Sequence, residues 1–294
     1  MSKQPNPKTH HSYEQQVDNL ISRGMIIPQR ESAIATLQHI NYYRLGMYWR
    51  IYEENHTTHQ FRPGTYLQDV VALYEFDREL RLLVLNALER IEVSIRTQWA
   101  YQMSKTYGSH AHLVDKIHDQ HWRGNMKTLK RETARSDESF IKRQTEKYSE
   151  ETSSIWAVSE IMSFGMLSRW YASLRTMSVR KNIARIYDVP HPVLESWIYH
   201  FCLMRNACAH HARLWNQHFD RAVPSYPKNN KKLSPAVLVD GHPLFNSLLI
   251  MLYLLDLICP QHRWRQDFIT LTQKYPIAAP AQMGFPDNWP KRWR

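Results

Sequence analysis

Leu73-Tyr74-Glu75-Phe76-Asp77-Arg78-Glu79-Leu80-Arg81 opens the longest periodic segment of the chain, which runs from residue 66 to about 103. Leu73, Phe76, Leu80, Leu83, Ala87, Ile91 and Ile95 recur at three- and four-residue steps, so they line one face of a single long helix. Further along, Glu89-Arg90-Ile91-Glu92-Val93-Ser94-Ile95-Arg96 places Glu92 four residues before Arg96, the favourable order for an ion pair. That pair either braces the helix or, if buried, orients an active-site arginine.

Working outward, the same period predicts helices over residues 13–23, ended by Gly24, and 28–39, with Pro28 suited to a helix start. The aromatic cluster Ile40-Asn41-Tyr42-Tyr43-Arg44-Leu45-Gly46-Met47-Tyr48-Trp49 packs a helix pair or stacks on single-stranded bases beside Arg44. Residues 108–151 turn polar, with Lys127, Lys130, Arg131, Arg135, Lys142, Arg143 and Lys147 among acids. They read as an inserted pair of exposed helices, 125–135 and 137–148, either a solvated face or a substrate-contacting lobe. Apolar packing resumes in helices over 155–162, 166–174, 179–187 and 193–215. A basic loop at 219–235 precedes helices at 243–258 and 264–274, and the Pro-containing tail 278–294 reads as irregular. The chain thus divides into 1–107 with the long core helix, the insertion 108–151, a helical core 152–260, and a C-terminal helix and tail 261–294.

With 8 Gly among 294 residues, 43% hydrophobic and 12% aromatic, the chain is too apolar to be disordered and too Gly-poor to be all-β. The fold class is all-α. A formal charge of +11 makes nucleic acid the first partner to consider and an anionic membrane surface the second. Cys202, Cys208 and Cys259 show no CxxC spacing and read as small buried hydrophobes in a reducing cytoplasm. The most hydrophobic run, 244–258, is shorter than the roughly 20 residues of a spanning helix and reads as a core helix.

The helix over 193–215 carries the densest chemistry, Arg205-Asn206-Ala207-Cys208-Ala209-His210-His211-Ala212-Arg213. At about 100° per residue, Leu194, Trp197, Phe201, Met204, Cys208, Ala212 and Trp215 form an apolar arc. Arg205, Asn206, His210 and Arg213 lie opposite, and His211 projects nearer the apolar side. RNA cleavage without a metal needs a base for the 2′-hydroxyl proton, an acid for the leaving oxygen, and positive charge at phosphorus. Histidine as a residue type titrates near pH 6.5 and arginine holds two phosphate oxygens at once, so Arg205 and His210 supply both functions. Asn206 either orients the His210 ring or binds phosphate. No metal site is expected from His200, Cys202, Cys208, His210 and His211, because Cys208 projects away from His210.

Arg205-Asn206 followed by Ala209-His210 resembles the HEPN ribonuclease motif. The blocks at 40–45, 73–81, Ile91-Glu92 with Arg96, Ser163-Phe164-Gly165 and 205–216 resemble, in the same order, those of the Abi-like abortive-infection family. The resemblance implies a HEPN-like helical bundle core elaborated with additional N-terminal, inserted and C-terminal helices, metal-independent endoribonuclease activity, and a role as a toxin-like agent of antiviral defence. It implies that Arg205 binds the scissile phosphate, that His210 is the general base or acid and that Asn206 supports it. His211, Arg213, Glu92 and Arg96 become supporting candidates, and Arg44, Lys127, Lys130 and Arg131 RNA-binding ones. One copy of a motif that works in pairs implies a homodimer. RNA is the expected partner, an inhibitory RNA or protein partner is a further one, and no cofactor, metal or membrane is called for. The alternative is a non-catalytic RNA-binding or scaffold protein of a defence or toxin–antitoxin system.

Overall fold

Helices account for nearly all the regular structure in the computed structural model, which describes residues 9–148, 153–219, 223–228, 230–238 and 243–293. The expected all-α fold is what is found, with α1 Tyr13–Ser22, α2 Arg30–His39, α3 Tyr42–Trp49 and α4 Leu67–Tyr107, then α5 Trp122–Arg135, α6 Ser139–Lys147, α7 Ile155–Ile161 and α8 Phe164–Ser173. These are followed by α9 Met177–Ile186, α10 His191–Ala209, α11 Pro243–Ile258, α12 Trp264–Lys274 and the short α13 Trp289–Arg292. Among the described residues the sheet is one antiparallel pair, β1 Glu53–Asn55 and β2 Gln60–Phe61.

The chain forms two compact units, Met1–Glu79 with Leu271–Ala279 and Leu80–Thr270 with Pro280–Arg294. In the first, Ser12 and Gln15 form a reciprocal capping box that starts α1, and Asn41 caps α3 by accepting from the Tyr43 N–H. The aromatic cluster at 42–49 serves packing: Tyr48 and Trp49 are buried, Trp49 meets Tyr42 edge-on at 4.7 Å, and the Tyr48 hydroxyl donates to the buried Asp77 carboxylate at 2.6 Å. Arg44 is half-buried within it.

The second unit is built on the apolar face of α4, where Leu80, Val84, Ala87, Ile91, Ile95, Trp99 and Met103 are fully buried. α8 packs extensively on α10, and α9 packs on α10. The inserted helices fall where the polar pattern placed them, but α5 is not merely a solvated arm. It buries Asn125, Met126 and Leu129 and packs on α7 and α8. The tail is more ordered than its prolines suggest, since Trp293 is buried within 5.0 Å of Phe268 and 5.5 Å of Phe285. Residues 244–255 of α11 are buried, and no helix among the described residues is long and apolar enough to cross a membrane.

Candidate active site

The expected helix over 193–215 ends early, at Ala209. His210 is its C-cap, and His211 takes the left-handed conformation with φ 58°. The His211 N–H donates to Cys208 O at 3.1 Å and the Ala212 N–H to Ala207 O at 2.8 Å, the two bonds of a Schellman turn. Glycine usually occupies that left-handed position, so its absence hid the stop. Beyond the turn Leu214 and Trp215 are buried, and their burial draws the chain off the helix axis. The helical-wheel positions predicted for Arg213 and His211 therefore do not apply. His211 is exposed rather than packed against the apolar side, and Arg213 is half-buried past the helix end.

Arg205, Asn206 and His210 do share one end of α10. Met204 and Cys208 bury against the core, which turns Arg205 and Asn206 to the half-buried flank and leaves His210 exposed. The Arg205 side chain is 26% exposed, and its Nε lies 3.7 Å from Glu92 Oε2 on α4. That is beyond hydrogen-bond reach, so the contact is electrostatic. Arg96 holds the same carboxylate at 2.7 Å, donates to Met162 O at 2.9 Å, and lies 3.6 Å from Glu160 Oε2 on α7. Burial pushes the Glu92 carboxyl above the usual carboxylate range, with Arg96 and Arg205 pulling the other way. Glu92, paired with Arg96, thus also meets Arg205 from a distant part of the chain.

Asn206 does not orient the His210 ring. Its amide Nδ2 points to Cys202 Sγ at 3.8 Å, one turn back on α10. The His210 backbone N–H is tied to Asn206 O at 2.9 Å, and the ring is left to solvent. Burial pushes the Cys202 thiol up, so it stays neutral at the centre of this group. Cys202 also meets α8, because a Cβ at Gly165 would sit 3.4 Å from its Sγ.

Lys127, Lys130 and Arg131 are exposed on α5, with Arg131 paired to Glu132 at 3.0 Å. Arg44 lies in the other unit. His200 is buried with Nε2 2.8 Å from Ser247 Oγ, away from the role of a ligand. Among the described residues no three His, Cys, Asp or Glu side chains are placed to hold a metal ion.

A family model for Abi-like proteins matches residues 35–216, more than half of the chain. The chain belongs to the Abi-like protein family. No curated protein and no solved structure matches it. The Abi-like match begins within α2 and ends just past the turn after α10, so it takes in Glu92, Arg96, Gly165 and the Arg205-to-His210 segment. Membership points to a role in abortive infection, a form of defence.

Three residues of the site were not singled out from sequence: Glu160, Arg169 and Cys202. Each reaches the group through packing between separate helices, α7, α8 and α10, which no local spacing encodes. The one local signal was Ser163-Phe164-Gly165, where Ser163 caps α8 by accepting from the Met166 N–H and Gly165 admits Cys202.

Proposed function

We infer that this Abi-like protein is a metal-independent endoribonuclease of HEPN type that aborts phage infection by cutting RNA. The observation that carries the reading is Arg205, a partly exposed guanidinium with, among the described residues, no partner nearer than the 3.7 Å contact to Glu92, five residues before the exposed His210. Such an arginine is already positioned and still has its donors to offer to a phosphate.

In the proposed reaction His210 takes the proton of the 2′-hydroxyl, and the 2′-oxygen attacks the adjacent phosphorus. Arg205 binds the non-bridging oxygens as negative charge builds on them. The 5′-oxygen leaves with a proton from a second histidine, giving a 2′,3′-cyclic phosphate and a 5′-hydroxyl end. One chain carries one motif, so the second histidine is the His210 of another protomer in a homodimer. The role of Asn206 shifts from ring support to holding Cys202. The net charge of +11 favours loading of a polyanion.

The test is incubation of labelled RNA with wild type and His210→Ala in EDTA. Wild type cleaves with unchanged rate and the variant does not. Binding by both proteins with cleavage by neither overturns the reading in favour of an RNA-binding scaffold. A wild type that cleaves as a strict monomer, by solution mass, overturns the composite site alone.

A further inference from the structure

Arg169 stands on α8 one turn after Gly165, and the space that a Cβ at Gly165 would fill lies 3.8 Å from its Nη1 and 3.4 Å from Cys202 Sγ. Arg169 and Arg205 therefore approach the same thiol, one from α8 and one from α10, and both act electrostatically on it. Around Glu92 lie Arg96, Arg205 and, acting electrostatically, Glu89, and Glu160 faces Arg96. Arg96 takes the hydrogen-bonded place on Glu92 and also faces Glu160. That leaves Arg205 with its long contact and Arg169, which is exposed, with no carboxylate in ion-pairing range among the described residues. Burial keeps the Cys202 thiol neutral, so it offers no counter-charge.

Two guanidiniums with donors to spare, set around a neutral thiol, are an arrangement that an anion stabilises. A side chain at residue 165 would fill space that Arg169 Nη1 and Cys202 Sγ both border. We propose that Arg169 is a second phosphate-binding residue of the site, gripping the RNA phosphate next to the one that Arg205 holds. The proposal rests on the ribonuclease reading, since it takes Arg205 as the residue on the scissile phosphate. It assigns the single-stranded backbone, rather than a base, as what α8 recognises. A planar fork suits this, because it takes two oxygens of one phosphate at once. Arg169 thereby fixes the strand along α8 and α10 and brings the 2′-hydroxyl to His210.

Full-length His210→Ala protein, which binds without cutting, and a fluorescent single-stranded RNA oligonucleotide serve as the probe. Anisotropy titrations are run between about 50 and 200 mM salt, where each phosphate contact contributes about 0.7 to the slope of log affinity against log salt for a single strand. Adding Arg169→Ala lowers affinity about tenfold at the low end and reduces the slope by about 0.7. Arg169→Lys keeps the slope and recovers part of the affinity, because the charge returns without the fork. Gly165→Leu behaves as Arg169→Ala does. Lys105→Ala, which removes one positive charge elsewhere on α4, leaves the slope unchanged.

An Arg169→Ala slope and affinity equal to those of the parent overturn the proposal, and Lys105→Ala matching Arg169→Ala reduces it to net charge and overturns it equally. If Arg169→Ala loses its circular dichroism signal, Arg169→Gln and Arg169→Lys decide by the same slopes. The parent reading fails in a different way, by absence of chelator-resistant cleavage in wild type. In that case the Arg169 slopes still report whether the α8 phosphate contact exists.

Discussion

Arg205 Nε stands 3.7 Å from the Glu92 carboxylate that Arg96 holds at 2.7 Å. One carboxylate thus serves two arginines unequally. Arg96, 11% exposed and bonded also to Met162 O, is committed to the fold. Arg205, 26% exposed and only electrostatically tethered, is aimed without being consumed. An arginine saturated by a bidentate carboxylate would have to break that pair before binding phosphate.

Glu92→Gln tests the tether. Burial already raises the Glu92 pKa, so the ionised group gains less from its arginines than it loses in hydration. Replacing the charge by a neutral amide should therefore leave stability within about 1 kcal/mol of wild type. Urea unfolding should show a nearly unchanged midpoint with unchanged slope. RNA cleavage should fall by about tenfold or more, with kcat affected beyond KM, because the Arg205 fork is no longer aimed. Unchanged cleavage at full RNA occupancy would remove Glu92 from the site.

His211 bears backbone strain, its φ of 58° being costly for any residue with a side chain. His211→Gly keeps the Schellman bonds and relieves that strain, so stability should rise by about 0.5–1 kcal/mol. Chelator-resistant cleavage should persist, because His211 is exposed beyond the turn and the proposed proton transfer is assigned to His210. Cleavage lost with stability gained would make His211 a reacting group.

Stability should fall on acidification between pH 6.5 and 4. Burial pushes both His112 and His118 down to about 4, and in the unfolded chain such residues titrate near 6.5. Folded pKa values below the unfolded ones mean that the neutral form folds and the unfolded chain takes up the protons first. Their stabilisation is complete above about pH 6.5 and is lost as pH drops towards 4, on the order of 2–3 kcal/mol for each. His118 also shares a contact with Ser173 Oγ at 3.1 Å and lies against the Trp170 ring. Urea midpoints at pH 7, 6 and 5 should decline, and His118→Asn should roughly halve the decline. A flat wild-type profile over that range would contradict the burial argument.

Much of the fold is legible in the sequence. Period alone placed α4, α11 and α12 within a few residues, because each presents a continuous apolar face to a core. The end of α10 was not legible. Its stop is made by a histidine in a backbone region that glycine normally takes, and by the burial of Leu214 and Trp215 further on. The Glu92–Arg96 pair was readable as an i, i+4 couple, but its meeting with Arg205 is a tertiary event. The same holds for Cys202 and Arg169, which lie on separate helices and both border the space beside Gly165. Local rules reach as far as a helix face, and the site is assembled from several faces.

Arg205→Ala and Arg205→Lys together separate charge from geometry. The Arg205 contact with Glu92 is long and its side chain partly exposed, so removal should cost the fold less than about 1 kcal/mol. The helix content of Arg205→Ala should match wild type by circular dichroism. Its cleavage should drop by about a hundredfold to a thousandfold, the scale set by losing one preorganised donor to the developing charge. Lysine keeps the charge but supplies a single point donor, so Arg205→Lys should bind RNA with nearly the wild-type salt slope and still cleave slowly. A lysine variant that cleaves at the wild-type rate would show that charge near Glu92 suffices. An alanine variant that unfolds would make Arg205 a structural brace like Arg96, and the unequal sharing of Glu92 would then have no catalytic meaning.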